Sequence, residues 1–304
     1  MAVKPPPTRP RKPSAAKAPV TPPGKQEVKI INKTFQTATW DTAKEGQRII
    51  VYADSGMGKT TLASMLPNPK FADFRGGSDK IKHPVTGERL QHIPGVETFD
   101  DVRAVCGQSN LFEPDDSFVI DTGTDFEDRA LEWTLVNVPA GERGKHYTAD
   151  RIEGYGWGKG FRHLYDTMKL PLADFDTMIR RGINVVILCQ MQQVEIANSG
   201  GENFLCDVPK LQKAHGKSTP AVWSMYNEWA DHVFKIGYAN IVASDGKATS
   251  SGERVVYVHG QAHFKAKSRT IPCEYPLITF SEPADDAIWQ YLFDECWKEE
   301  ETNQ

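Results

Sequence analysis

The chain has 304 residues, of which 39% are hydrophobic and 25% are charged, and its formal net charge is −4. These values are ordinary for a soluble globular protein, and the chain is long enough to bury a sizeable core as one or two domains. A membrane span is excluded because no apolar run has the necessary length, and the N-terminus lacks the apolar core of a signal peptide, so we expect a cytoplasmic protein without a membrane partner.

Cysteine usage points to the same compartment. The five cysteines are odd in number and widely spaced, without a Cys-x-x-Cys pair: Cys106, Cys189, Cys206, Cys273 and Cys296. This pattern favours reduced thiols over a disulfide framework or a zinc site.

Proline and basic residues dominate the N-terminal segment. Residues 1–25 contain eight prolines and six basic residues but no acidic one. Such a segment cannot bury enough apolar surface to offset the entropy cost of ordering, so we predict a disordered tail over residues 1–26. The tail is either a weak tether for nucleic acid or a solubilising leader, and the composition leaves both alternatives open.

The most informative motif follows a short apolar strand at residues 49–53. A glycine turn and a helix predicted to end near Leu66 come next, which is the layout of a phosphate-binding loop. The residues expected to contact phosphate are Asp54, Ser55, Gly56, Met57, Gly58, Lys59, Thr60 and Thr61. Lys59 would reach the β- and γ-phosphates, and the Thr60 hydroxyl would hold Mg²⁺. Ala53 replaces the usual first glycine, and a glycine-rich turn that binds nothing is the alternative.

Two further strands end in polar side chains. The strand at residues 116–121 ends in Asp121, which would hold Mg²⁺ together with Thr60, and the strand at residues 185–190 ends in Gln190. Because the carboxyl ends of parallel strands meet at one edge of a sheet, we expect these side chains to converge on the loop. Asp125, Glu127 and Asp128 come next, and their simplest interpretation is the solvated face of a helix that ends near residue 136.

The remaining elements alternate along the chain. We predict a strand at 27–31, a strand at 70–74, a helix at 98–106, a helix at 161–181 bent at Pro171, an irregular segment at 193–225, a strand ending near 236, an antiparallel hairpin at 253–259 and 262–269, and a helix at 284–293. Strands that alternate with helices predict an α/β fold with a mostly parallel sheet flanked by helices. The C-terminal hairpin would extend this sheet in antiparallel fashion. The domain would cover residues 27–293 and be followed by an acidic tail over residues 294–304.

Several segments together resemble the phage-encoded RecA-like P-loop ATPases, a family that includes single-strand annealing proteins of phage recombination. The matching segments are residues 52–60, 119–127, 152–160, 182–190, 228–231 and 266–269. The resemblance implies a RecA-like core, ATP with Mg²⁺ as cofactor, a homo-oligomer, and work on single-stranded DNA in the cytoplasm of a bacterial host.

The resemblance also assigns catalytic roles. Lys59 matches the loop lysine, Asp121 the carboxylate beside the metal, and Gln190 a polar sensor of the γ-phosphate. Lys267 and Arg269 match a basic pair that reaches the nucleotide of a neighbouring subunit, although an exposed basic strand face is the alternative.

One position departs from the family pattern. RecA-like ATPases carry a glutamate after the second core strand that activates water, and this chain has Arg75 there, which cannot accept a proton. Either Asp73 or Glu127 replaces that glutamate, or hydrolysis is slow.

We therefore expect an ATP-binding, ATP-hydrolysing protein that acts in recombination, annealing or replication. A nucleotide-binding switch or scaffold with little turnover and a small-molecule kinase are the alternatives. DNA would need a local patch, for which the candidates are Lys145, Tyr147, Arg151, Tyr155, Trp157, Lys159, Arg162 and Lys169. A solvated helix face beside a loop explains the same residues.

Overall fold

The computed structural model describes residues 36–37, 45–140, 149–156, 158–216, 219–239, 241–244, 247–250 and 252–296, and for residues 241–244 and 247–250 it describes the backbone alone. The chain divides into Met1–Trp40 and Asp41–Gln304, and apart from Gln36 and Thr37 every described residue lies in the second part. The tail predicted over residues 1–26, the strand predicted at residues 27–31 and most of the acidic tail lie outside the described residues.

Strands and helices alternate over most of the described chain. The strands are β1 Arg48–Ala53, β2 Pro69–Asp73, β3 Gln91–His92, β4 Ser117–Asp121, β5 Asn184–Ile196, β6 Phe204–Pro209, β7 His232–Tyr238, β8 Ile241–Ser244, β9 Lys247–Ser250, β10 Arg254–Tyr257 and β11 Leu277–Thr279. The α-helices are α1 Lys59–Ala63, α2 Phe99–Gly107, α3 Gly123–Asn137, α4 Lys159–Thr167, α5 Leu170–Arg180, α6 Val222–Trp229 and α7 Ala287–Trp289. Short 3₁₀ helices cover Ser78–Lys80 and Ile152–Tyr155, and a π-helical turn covers Gln290–Asp294. Among the described residues, no helix combines the length and the apolar character needed to cross a bilayer.

One mixed sheet organises the described residues. From edge to edge its strands are β11, β10, β7, β1, β5, β4, β2 and β3, and β6 pairs with the far end of β5. The pairs among β7, β1, β5, β4, β2 and β3 are parallel, whereas β10 pairs antiparallel with β7 and β11. The predicted fold class is therefore confirmed: an α/β fold with a mostly parallel sheet flanked by helices and with antiparallel strands near the C-terminus.

The central strands are apolar on both faces because helices cover both. In β1, Ile50 and Tyr52 pack into the core formed with α2, α3, α5 and α6. Ile49, Val51 and Ala53 pack into a second core on the side of α1 and α7. A strand buried on both faces has no polar alternation, which explains the continuous apolar run of its sequence.

Two predicted helices differ in extent. The helix predicted at residues 161–181 is divided into α4 and α5 between Thr167 and Leu170. Pro171 lies in the first turn of α5, where its missing N–H is not needed. Helix α1 ends at Ala63 rather than near Leu66, and the N–H of Ser64 is shared between the carbonyls of Thr60 and Thr61.

Two predictions about strands were wrong. Residues 193–225 are not irregular throughout, because β5 extends to Ile196 and pairs antiparallel with β6. Residues 262–269 do not form the second strand of a hairpin with β10, whose partners are β7 and β11. Instead they form isolated β-bridges with other segments, such as the bridge between Val233 and Lys267. Alternation indicates an extended segment, but it does not identify the segment's partner.

Candidate phosphate-binding site

The polar residues at the carboxyl ends of the central strands meet in one cleft. Ala53 is aligned with Gln190 in the sheet, and Asp73 is aligned with Asp121. The cleft has a volume of about 720 Å³, within the range of small-molecule sites. Its lining comprises Asp54, Ser55, Gly56, Gly58, Lys59, Thr60, Thr61, Asp73, Arg75, Gly77, Ile81, Asp121, Thr122, Thr124, Asp125, Gln190, Met191 and Lys210.

The loop between β1 and α1 depends on two glycines in the left-handed region. Gly56 has a φ of 78° and Gly58 a φ of 93°. A Cβ on Gly58 would lie 2.8 Å from a guanidinium nitrogen of Arg254 and 2.9 Å from the ring of Phe280. The Met57 side chain is buried in the core beside α1, so it can offer only its backbone to a ligand. These two glycines therefore allow the inward turn that a backbone cradle for phosphate needs, and phosphate binding by the loop stays a prediction.

Lys59 is buried at the base of this cradle. Its Nζ donates to the carbonyl oxygens of Ala53 at 3.1 Å and Asp54 at 2.9 Å, and lies 3.4 Å from Oε1 of Gln190. Burial lowers the pKa of Lys59, and the charge of Asp121 opposes that shift. Its hydrogen-bond partners are neutral oxygens, so its charge stays available for an anion.

Thr60 and Asp121 form the oxygen pair predicted for a metal ion. The Thr60 hydroxyl donates to Oδ2 of Asp121 at 2.7 Å. Burial, together with the nearby charge of Asp73, raises the pKa of Asp121 to about 6, and the hydrogen bond from Thr60 opposes this shift. Hydroxyl and carboxylate oxygens are ligands that Mg²⁺ prefers, and Mg²⁺ binds through few protein groups when phosphates supply others. Among the described residues, no group of three or more His, Cys, Asp or Glu side chains is arranged to hold a metal ion.

Asp73 organises the turn that follows β2. Its carboxylate accepts hydrogen bonds from the N–H groups of Arg75, Gly76 and Ser78 and from the Ser78 hydroxyl. Burial raises the pKa of Asp73, but these hydrogen bonds outweigh it and hold the pKa below its usual value. A carboxylate that is occupied in this way is a poor proton acceptor, which argues against Asp73 as the replacement for the missing glutamate.

Glu127 does not line the cleft. Its carboxylate accepts the N–H of Gln212 at 2.8 Å on another side of α3, and burial raises its pKa to about 8. The structure therefore does not bring this predicted catalytic residue to the loop. The prediction that these acidic residues form the solvated face of a helix was also wrong in part. Asp125 is buried and lines the cleft, while Asp128 is exposed.

The basic pair lies at the other end of the sheet. The backbone of Lys267 pairs with Val233 near the start of β7, and Arg269 forms an ion pair with Asp231 at 3.2 Å. Asp231 also pairs with Arg48, the first residue of β1, whose last residue leads into the loop. Lys267 and Arg269 therefore cannot reach the cleft of their own chain, and their action on a neighbouring subunit stays a prediction.

Several residues proposed for the DNA-binding patch have other partners in the structure. The Tyr155 hydroxyl shares its hydrogen between the carbonyls of Thr134 and Val138, and the side chain is buried, so this ring cannot serve as an exposed stacking surface. Arg162 and Lys169 both form ion pairs with Asp166. Lys145, Tyr147 and Trp157 lie outside the described residues.

Several lining residues were not predicted from the sequence. Thr122, Thr124 and Asp125 belong to the start of α3, and Met191 and Lys210 come from the paired ends of β5 and β6. The Thr124 hydroxyl donates to the carbonyl of Lys210 at 2.9 Å and accepts from the N–H of Gln190 at 3.3 Å. The Thr-x-x-Asp spacing at residues 122–125 marks a helix N-terminus directly after Asp121. This spacing could have indicated that the residues at the start of α3 line the cleft.

Three comparisons relate the chain to known proteins. A family model described as an AAA domain matches residues 45–270. No curated protein matches. Among solved structures, the KaiC-like protein PH0186 from the hyperthermophilic archaeon Pyrococcus horikoshii OT3 shares 10% sequence identity over 78% of this chain and 90% of that protein, with a TM-score of 0.36. The family match covers most of the chain and includes the loop, Asp121 and Gln190, and the chain therefore belongs to the AAA domain family of P-loop proteins.

Proposed function

We propose that the protein binds ATP with Mg²⁺ in the cleft and hydrolyses it slowly. One observation carries the proposal: the Lys59 ammonium is held by neutral loop oxygens, beside a hydroxyl–carboxylate pair formed by Thr60 and Asp121. The loop and Lys59 fit the phosphates, and the oxygen pair fits a hard cation.

The chain's own groups divide the work. N–H groups of the loop would bind phosphate oxygens, and Lys59 would exchange its carbonyl partners for the β- and γ-phosphates. Thr60 and Asp121 would hold Mg²⁺, which supplies positive charge to the phosphates when it is bound. Gln190 lies against Lys59, so its amide is placed to respond when Lys59 moves toward a terminal phosphate.

Slow turnover follows from the carboxylates around the cleft. Asp73 is occupied by the turn after β2, and Asp121 accepts the Thr60 hydroxyl. Asp125 is paired with Arg75, and Glu127 faces Gln212. While Arg75 is paired with Asp125, none of these four carboxylates is free to take a proton from water, which favours binding over rapid hydrolysis.

Calorimetry of the full chain with Mg²⁺ and ATP tests the proposal. We expect Lys59→Ala to weaken binding by about tenfold to a hundredfold, because a hydrogen bond to a charged partner contributes about 1.5–3 kcal/mol. Lys169→Ala, at the exposed junction of α4 and α5, is the control and should bind like the wild type. Equal affinities for the wild type and Lys59→Ala would refute the proposal.

The role in recombination or annealing that the resemblance implies stays a prediction. Its test is the rate of phosphate release with and without single-stranded DNA. Stimulation by DNA would support that role, and transfer of phosphate to a small acceptor would instead indicate a kinase.

A further inference from the structure

Arg75 lines the cleft in an unusual environment. Its guanidinium is bonded to Oδ1 of Asp125 through both Nε and Nη2. The Arg75 side chain is 73% exposed, whereas the Asp125 side chain is 9% exposed. One partner of this ion pair is therefore fixed in the protein, and the other is largely in solvent.

The fixed partner is held by the start of α3. Oδ2 of Asp125 accepts the Thr122 hydroxyl at 2.7 Å, and the N–H of Asp125 donates back to the Thr122 oxygen. These bonds leave Oδ1 directed to Arg75. Asp125 can therefore retain its position when the guanidinium leaves.

The backbone of Arg75 is fixed as well. Its N–H and that of Gly76 donate to the Asp73 carboxylate at 2.9 Å, at the end of β2. The Cα of Arg75 is thus anchored beside the cleft, while rotation about its side-chain bonds meets little packing. An anchored backbone with an exposed cationic side chain is suited to a limited movement between two acceptors.

The chemistry of Arg75 favours a phosphate as the second acceptor. Three cationic side chains line the cleft among the described residues: Lys59, Arg75 and Lys210. Lys59 lies within the loop, and of the three only arginine offers a planar fork of donors that matches two phosphate oxygens. Because the guanidinium of this ion pair is largely in solvent, the pair contributes little to stability, and a terminal phosphate with two or more charged oxygens competes well with the carboxylate.

We propose that Arg75 recognises the terminal phosphate of a nucleoside triphosphate, and that Asp125 holds the guanidinium at the side of the cleft until that phosphate arrives. The inference rests on the proposed function and adds the residue that distinguishes triphosphate from diphosphate. In this chain the position of the expected glutamate thus serves recognition rather than proton transfer.

The test compares the affinities of the full chain for ADP and for the non-hydrolysable triphosphate AMPPNP, both with Mg²⁺, by calorimetry. We expect Arg75→Gln to weaken AMPPNP binding by about tenfold to a hundredfold and to leave ADP binding within about twofold of the wild type. The AMPPNP affinity of Arg75→Lys should lie between those of the wild type and Arg75→Gln, because lysine keeps the charge and loses the planar fork of donors. Arg103→Gln is the matched control, since Arg103 also pairs with an aspartate, Asp174, but lies outside the cleft, and it should change neither affinity.

Asp125→Asn tests the second half of the proposal. Asparagine can still accept the Thr122 hydroxyl, but it no longer neutralises Arg75. The preference for AMPPNP over ADP should rise, and it should not rise when Arg75→Gln is also present.

The outcomes separate this inference from the proposed function. An Arg75→Gln variant that loses both ligands equally, or neither, overturns the inference, as does an unchanged preference in Asp125→Asn. If the wild type binds neither ligand, or if Lys59→Ala binds both unchanged, the proposed function itself fails. The ADP affinity of each variant also reports whether the variant is folded.

Discussion

Lys59 shows at the level of one residue how the cleft is prepared for an anion. Burial lowers its pKa and the charge of Asp121 opposes that shift, while the atoms bonded to the ammonium are two backbone carbonyls and one amide oxygen rather than a carboxylate. A carboxylate in contact would satisfy the ammonium better and would have to be displaced by phosphate. Neutral partners make the exchange for phosphate less costly.

Gly58 gives a prediction at the same scale. Gly58→Ala should destabilise the protein by about 1–3 kcal/mol and abolish nucleotide binding, because the new Cβ meets Arg254 and Phe280 and the residue has positive φ. Gly56→Ala is the matched control: its φ is also positive, but nothing lies within 4 Å of the added atom, so its cost should be about 1 kcal/mol. Urea denaturation measures both. Equal losses in the two variants would show that the close contact at Gly58 does not matter.

His232 gives a pH-dependent prediction. Its ring is buried between the Ser268 hydroxyl and Oε1 of Gln47, each at 3.0 Å, and burial lowers its pKa from 6.5 to about 4. Between pH 6.5 and pH 4 the histidine is protonated in the unfolded chain but not in the native protein. The free energy of unfolding therefore falls as the pH is lowered from 6.5 to 4. The loss from this residue at pH 5 should be about 2 kcal/mol relative to neutral pH.

The measurement for His232 is the difference in unfolding free energy between pH 7 and pH 5. We expect this difference to shrink by about 2 kcal/mol in His232→Asn, whatever the stability of that variant at pH 7. His92→Asn changes an exposed histidine and should keep the wild-type pH dependence. If His232→Asn also keeps the wild-type pH dependence, His232 is not the residue that causes the loss of stability at pH 5.

At the scale of elements, local patterns were predictable and long-range pairings were not. The strand, turn and helix around Lys59 were recognised because the signal is contained in a few consecutive residues. The helix α2 was recognised in the same way, since Thr98 and Asp101 form a capping box at its start. Gln190 and Asp121 were placed together because parallel strands end at one edge.

The features that the sequence did not predict depend on contacts between residues that are distant in the chain. Nothing near Lys210 in the sequence shows that β6 returns along β5 and brings this lysine to the cleft. The environment of Glu127 is likewise set by Gln212, which is 85 residues away. Helix periodicity could not decide whether Glu127 or Asp125 faces the loop, because the helix begins directly at the cleft and both residues lie in its first turns.

The first turn of α4 gives a prediction at this scale. A Cβ on Gly160 would lie 2.1 Å from the backbone oxygen of Ile152, so α4 packs directly on the 3₁₀ helix Ile152–Tyr155. Gly160→Ala should therefore cost about 2–3 kcal/mol, since backbone has to move. Gly107→Ala, at the end of α2 with nothing within 4 Å, should be neutral or slightly stabilising in the same urea titration. A neutral Gly160→Ala would mean that this packing is loose.

At the scale of the whole molecule, the two ends of the sheet are chemically different. One end carries the loop, Asp121 and Gln190, and the other carries Arg48, Asp231 and Arg269. The Arg269 side chain is 62% exposed despite its ion pair with Asp231. A basic residue in this position could contact a triphosphate only when a second copy places its cleft there, through a head-to-tail interface.

Mixing two inactive variants tests whether such an interface operates. Lys59→Ala removes the loop lysine and retains Arg269, whereas Arg269→Ala has the reverse defect. If each active cleft uses Arg269 from its neighbour, an equal mixture should regain about a quarter of the wild-type rate of phosphate release, because one neighbouring pair in four combines an intact cleft with an intact arginine. A mixture of Lys59→Ala with Asp121→Ala is the control and should stay inactive, since both changes damage the cleft itself. Absence of recovery in the first mixture would assign Arg269 to its ion pair with Asp231 alone.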